Sequence, residues 1–171
     1  GEGWKDSGNS VSAVASILRD KEIGSLFINS TVGRNWINNY LTKYKSGSYG
    51  SYATNAEYVS WLNTLDVLRA TPTQKNYDEF AKRTKLIKND ANTEHVLISL
   101  GEYYKKANNL KDYVDTTLED ARIAVEKAEK TPNQANLNDA RSKVELVSDV
   151  KQKEAFTARL VVVEAAVQAA I

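Results

Sequence analysis

The residues of this chain that could do chemistry are few, and their spacing suits it poorly. The only histidine, His95, follows Glu94, and there is no cysteine in 171 residues. A single imidazole therefore has neither a thiol to activate nor fellow ligands for a metal. Carboxylates stand together at Asp78 and Glu79, at Glu119 and Asp120, and at Asp112 and Asp115. Adjacent helix positions point to different faces, and these pairs lie among lysines, so they read as solvated surface with i to i+4 partners such as Glu126 and Lys130. Gly47 and Gly50 lack the Lys-Ser/Thr and the strand context of a phosphate loop. The expectation is a non-enzymatic chain with no metal and no cofactor.

Two concentrations of residues could instead bind something. All three tryptophans (Trp4, Trp36, Trp61) and five of the nine tyrosines (Tyr40, Tyr44, Tyr49, Tyr52, Tyr58) fall in the first 61 residues, interleaved with Arg34, Lys43 and Lys45. Flat aromatic faces beside cations suit an acidic sugar ring or the hot spot of a partner protein. Trp36, Tyr40, Tyr58 and Trp61 coincide with core positions of the repeats described below and read as packing. Trp4, Tyr49 and Tyr52 lie in segments without helical pattern. The candidate ligand-binding set is therefore Trp4, Arg34, Lys43, Lys45, Tyr49 and Tyr52. Lys82, Arg83, Lys85 and Lys88 form a second group, read as a solvated face or a small anion patch.

Net charge is +1, which gives no general affinity for nucleic acid or an anionic membrane. No run of eighteen apolar residues occurs, so no membrane insertion is expected. The nearest approach, "FTARLVVVEAAVQAAI", carries Arg159 and Glu164 and reads as a core-facing helix or half of an interface. No methionine occurs, even at position 1, as expected of a mature or excised segment.

The elements that would position these residues are marked by "TPTQKNYDEF" from Thr71 and "TPNQANLNDA" from Thr131, which use the only two prolines sixty residues apart. In T-P-x-Q, Thr can cap a helix, Pro fits its first position and Gln can reach back to the cap. Downstream, Tyr77, Phe80, Thr84 and Ile87 are matched sixty positions on by Leu137, Ala140, Val144 and Val147. Val96, Leu100, Tyr103 and Ala107 are matched by Phe156, Leu160, Val163 and Val167. Upstream, Tyr58, Trp61, Leu65 and Leu68 correspond to Leu118, Ala121, Val125 and Ala128. One amphipathic three-helix pattern is thus written twice. A degraded third copy places "NSTVGRNWINNYLTKY" over "NDANTEHVLISLGEYY", preceded by "VSAVASILRDKEIGSLF".

The expected fold is all-α, with seven or eight helices in tandem three-helix bundle units of about 60 residues. The units are 1–53 (incomplete, with the Gly/Ser/Tyr loop "KSGSYGSYATN", in which Thr54 or Asn55 could cap the next helix), 54–110 and 111–171. The stretch "YYKKANNLKDYVDTTLEDARIAVEKAEK" has no Gly or Pro, which leaves room for one continuous long helix to join the last two units.

The segment "AVEKAEKTPNQANLNDARSKVELVSDVKQKEAFTARLVVVEAAV", with its Thr-containing break, "N-x-x-D-A-R" helix and "A-R-L" helix, resembles the helical repeats of surface-layer and other exported proteins of Gram-positive bacteria, best over 121–171. The resemblance implies an extracellular or cell-surface bundle, used in some relatives to hold a cell-wall polymer and in others as a spacer. It brings no catalytic pattern. Two functions follow as expectations. One is a module that binds a cell-wall or surface polysaccharide and so anchors an exported protein. The other is a structural spacer or assembly bundle whose partner is another surface protein.

Overall fold

Small polar residues set where the helices begin. In the computed structural model, which describes residues 8–46, 56–87 and 94–171, the described chain is all-helical. Its helices are α1 (Gly8–Leu18), α2 (Lys21–Asn29), α3 (Thr31–Lys45), α4 (Ala56–Ala70), α5 (Gln74–Thr84), α6 (Glu94–Ala107), α7 (Thr117–Lys130), α8 (Gln134–Glu145) and α9 (Val150–Ala169). That is nine among the described residues, against the seven or eight expected. The extra divisions come from caps inside apparently continuous patterns. Asp20 accepts from the Glu22 and Ile23 amides, both at 2.9 Å, and starts α2. Ser30 starts α3 by accepting from Gly33 N at 2.9 Å while donating to Phe27 O at 2.7 Å. Gly33 is required there, because a Cβ would run into the Phe27 carbonyl oxygen. Thr54 and Asn55 lie outside the described residues.

The Thr-Pro motifs are helix punctuation, but in a register two residues later than expected. Thr73 and Asn133, not Thr71 and Thr131, are the N-caps, accepting from Asn76 N at 3.2 Å and Asn136 N at 2.8 Å. The preceding helices run up to the proline, with Thr71 N and Thr131 N each donating back at 2.9 Å to Val67 O and Lys127 O. Proline disfavours a helical conformation in the residue before it, so the chain turns there and the next side chain able to cap does so. Asn76 and Asn136 then donate from Nδ2 to the Thr71 and Thr131 carbonyls at 2.8 and 2.9 Å. The working motif is T-P-[T/N]-Q-x-N, alike in both copies.

The chain divides into two compact units, Gly1–Tyr113 and Val114–Ile171. In the second, α7, α8 and α9 pack pairwise as a closed three-helix bundle. In the first, α4, α5 and α6 also pack pairwise, and α6 packs in addition against α1 and α2, while α3 packs on α2. The residues expected as separate units 1–53 and 54–110 thus share one core, from Val14 to Tyr103, because α1 lies along α6 rather than closing a bundle of its own.

No continuous helix joins the units. α6 ends at Ala107, and Asn109 adopts the left-handed conformation (φ 53°). Leu110 N donates to Lys105 O at 2.9 Å and Asn109 N to Lys106 O at 3.3 Å, the two bonds of a Schellman stop, with Leu110 packed back on the core. Asparagine does here what glycine more often does.

The sixty-residue correspondence holds in the burial pattern. Tyr77, Phe80 and Ile87 are buried, as are Leu137, Ala140 and Val147; Val96, Leu100 and Tyr103 are matched by buried Phe156, Leu160 and Val163. Leu118 departs from it, being exposed. The two cores are filled differently. In unit 1 Trp61 is fully buried and its indole N–H donates to Thr84 Oγ1 at 2.8 Å, which explains a threonine on an otherwise apolar stripe. Sixty residues on, both members change together, to Ala121 and Val144. Phe80 lies so close over Gly101 that a Cβ would enter its ring; sixty residues on, Ala140 is buried while Val161 is exposed, so the second core has no such contact at these positions. One backbone pattern therefore carries a large-residue and a small-residue core.

Candidate functional site

The described aromatic residues of the N-terminal third mostly face inward. Trp36 stacks on Tyr40 at 5.2 Å between centroids, Tyr40 on Tyr44 at 6.4 Å, Tyr44 meets Trp61 edge-on at 6.3 Å, and Trp61 stacks on Phe80 at 6.0 Å. Tyr40, Tyr44, Tyr58 and Trp61 are buried and Trp36 is half-buried. This ladder joins α3, α4 and α5. Of the candidate ligand-binding set, Trp4, Tyr49 and Tyr52 lie outside the described residues.

The cations of that set are on α3 but are not brought together. Arg34 is exposed, with Nη1 donating to Asn29 O at 3.0 Å. Lys45 is paired with Asp66 of α4 at 2.6 Å. Eleven residues of helix separate Arg34 from Lys45 by about 16 Å, and the half-buried Lys43 is turned roughly 180° from Arg34. In the second group, Lys82 is exposed and Arg83 half-buried, and neither makes an ion pair among the described residues. Lys85 lies with Nζ 5.1 Å over the Tyr113 ring. Lys88 lies outside the described residues, as does the side chain of His95.

The densest polar constellation was not singled out from the sequence. Tyr77 Oη, on α5, donates to Glu102 Oε1 of α6 at 2.6 Å. Lys105 bonds Glu102 at 2.8 Å and Asp112 at 2.5 Å, with Nζ 5.6 Å from the Tyr77 ring centroid. Burial, then the Glu102 bond, raises the Tyr77 hydroxyl far above its ordinary range, so it stays a proton donor. Burial works against the Lys105 charge, but its bonds to Asp112 and Glu102 outweigh this and raise its pKa. The Lys105 bond holds the Asp112 carboxyl below its usual range. Beside this network Gln74 makes a two-point contact with backbone. Its Nε2 donates to Lys111 O at 3.0 Å and its Oε1 accepts from Lys111 N at 2.8 Å, while Asp78 Oδ1 holds Nε2 at 2.9 Å. Gln in T-P-x-Q was the available signal, but its partner lies 37 residues away.

In the second unit the polar contacts bridge helices on the surface. Arg159 of α9 grips Glu129 of α7 through two bonds of 3.0 and 2.5 Å, Arg141 of α8 meets Glu164 of α9 at 3.0 Å, and Arg122 sits between Glu119 and Glu126. Among the described residues, no three His, Asp or Glu side chains gather to hold a metal ion, and no helix is long and apolar enough to cross a membrane. No protein-family model, curated protein or solved structure matches this chain.

Proposed function

We propose that this chain is a non-catalytic helical spacer of an exported cell-surface protein, built of two compact helical units. The observation that carries this reading is the inward aromatic ladder from Trp36 to Phe80. Trp36, Tyr40, Tyr44, Tyr58 and Trp61, five of the eight aromatic residues that gave the N-terminal third its concentration, are spent on packing, while Trp4, Tyr49 and Tyr52 lie outside the described residues. A cation of that set is likewise spent on joining helices, Lys45 to Asp66. Placement outside the cell is supported by the likeness of residues 121–171 to surface-layer repeats. A second reading, attachment to an acidic wall polymer, is favoured by Lys82 and the half-buried Arg83 on α5, which have no counter-ion among the described residues.

Co-sedimentation of the purified chain with cell-wall material, at low and high salt, tests the two. A spacer stays in the supernatant at both. Sedimentation at low salt that is lost in high salt, and lost in K82A/R83A, would replace the spacer reading by the polymer-binding one.

A further inference from the structure

We propose that residues Leu110–Tyr113 are a releasable strap, fastened to the α5–α6 side of the first unit, which sets how much free chain separates the two units. The proposal rests on the spacer reading and says how the spacing would be controlled. Four fastenings hold the strap. Leu110 packs on the core directly after the Asn109 stop. Gln74 takes both backbone groups of Lys111, the pairing an adjacent strand would make, with its amide oriented by Asp78. Asp112 reaches back to Lys105 at 2.5 Å, and Tyr113 packs against the core with Lys85 over its ring.

These contacts suit detachment better than permanence. The Asp112 side chain is 85 % exposed, so its ion pair is screened by salt and contributes little on its own. The Gln74 contact is two neutral hydrogen bonds to an exposed backbone, each of which exchanges with bonds to water at little net cost. Both therefore break and remake far more readily than a helix unfolds.

When the strap is fastened almost no chain is left over. Unit 1 ends at Tyr113, and Asp115 already belongs to the start of α7, accepting from Thr117 N at 3.0 Å and Thr117 Oγ1 at 2.6 Å. Freeing four residues adds about 13–14 Å of reach, at ~3.3–3.6 Å per extended residue. The device belongs to the first unit alone. Gln134, at the corresponding place in the second motif, donates to Asn138 at 2.9 Å with no backbone partner among the described residues, and there Arg141–Glu164 and Lys153–Glu145 bridge α8 to α9 instead.

Hydrogen exchange resolved to single amides, with tryptic cleavage after Lys111, tests this on the intact chain. The Lys111 amide should exchange more slowly than that of Val114, and Q74A, which removes both bonds, should speed its exchange about thirtyfold. Cleavage after Lys111 should quicken in parallel, while tryptophan fluorescence stays native. Q134A should change neither rate. D112N with K85A, which leaves Gln74 in place, should speed cleavage in low salt and lose that advantage in high salt. The proposal is overturned if Lys111 exchanges at a free-chain rate in the unaltered protein. It is equally overturned if Q74A folds and changes nothing, or if Lys111 opens only when the whole first unit unfolds. None of these outcomes involves wall material, so a polymer-binding result would remove the spacer reading and leave the strap measurement standing.

Discussion

Leu137→Ala should unfold the second unit and spare the first. Leu137 is 1 % exposed in a cluster of twelve residues that shares no member with the first core. Truncating a leucine so buried costs about 2–5 kcal/mol, the upper part of the range applying where neighbours cannot collapse into the space. Four of the eleven other members of that cluster, Ala121, Ala124, Ala128 and Ala140, have no side-chain length with which to fill it. A unit of 58 residues has only about 3–9 kcal/mol of stability and a midpoint that moves roughly 8 °C per kcal/mol. A fall of ~15–40 °C is therefore expected, enough to melt the unit near room temperature. The distribution of chromophores makes this measurable. All three tryptophans and all nine tyrosines lie in residues 1–113, and the second unit has only Phe156. Far-ultraviolet circular dichroism reports both units, whereas tryptophan emission reports the first alone. L137A should show an early helical transition with the tryptophan midpoint in place. Equal movement of both signals would refute the reasoning, since the cores would then be coupled.

Other outcomes can be checked on the same protein. Thr73→Ala and Asn133→Ala should each cost about 1 kcal/mol in denaturant melts, whereas Thr71→Ala and Thr131→Ala should stay within ~0.5 kcal/mol, because the latter pair bond through backbone groups that alanine keeps. Gly101→Ala should cost about 1–3 kcal/mol by pressing on the Phe80 ring, and most of that cost should vanish in an F80A background, so that F80A/G101A is less damaging than its parts predict. A strictly additive double variant would count against that pairing. Acid should weaken the surface ion pairs. The bonds from Lys105, Arg122 and Arg159 hold the carboxyls of Asp112, Glu119 and Glu129 below their ordinary values. Their contribution is therefore present above the ordinary carboxylate range and is lost as pH falls through the lowered folded values. A melting-temperature series against pH should flatten in E129Q, and more so in low salt.

The repeated apolar face was legible because burial imposes the same spacing on both copies, from Tyr77 and Leu137 to Tyr103 and Val163. The cap register was not, because T-P-T and T-P-N each offer two side chains able to cap, and the choice depends on where proline forces the preceding helix to stop. The break at Asn109 was hidden because a left-handed stop made by asparagine has no Gly or Pro to announce it. Polar contacts made with distant partners were not legible. Lys45 meets Asp66 and Gln74 meets Lys111, pairs that no local spacing connects. Trp36, Tyr40 and Tyr58 were legible as packing because the repeat aligned them with apolar positions.

The Phe80–Gly101 contact has a consequence for how a chain with two copies of one helical pattern avoids misassembly. Repeats this similar in pattern are at risk of trading partners during folding, one copy's helix docking on the other's. Were α5 to settle in the second unit, its Phe80 ring would have to enter the space that fully buried Ala140 fills; were α8 to settle on α6, Ala140 would leave a hole over Gly101. Each wrong pairing is penalised by volume alone, one by collision and the other by emptiness. The difference in core size thus works as a sorting code, letting each set of helices recognise its own neighbours among look-alikes.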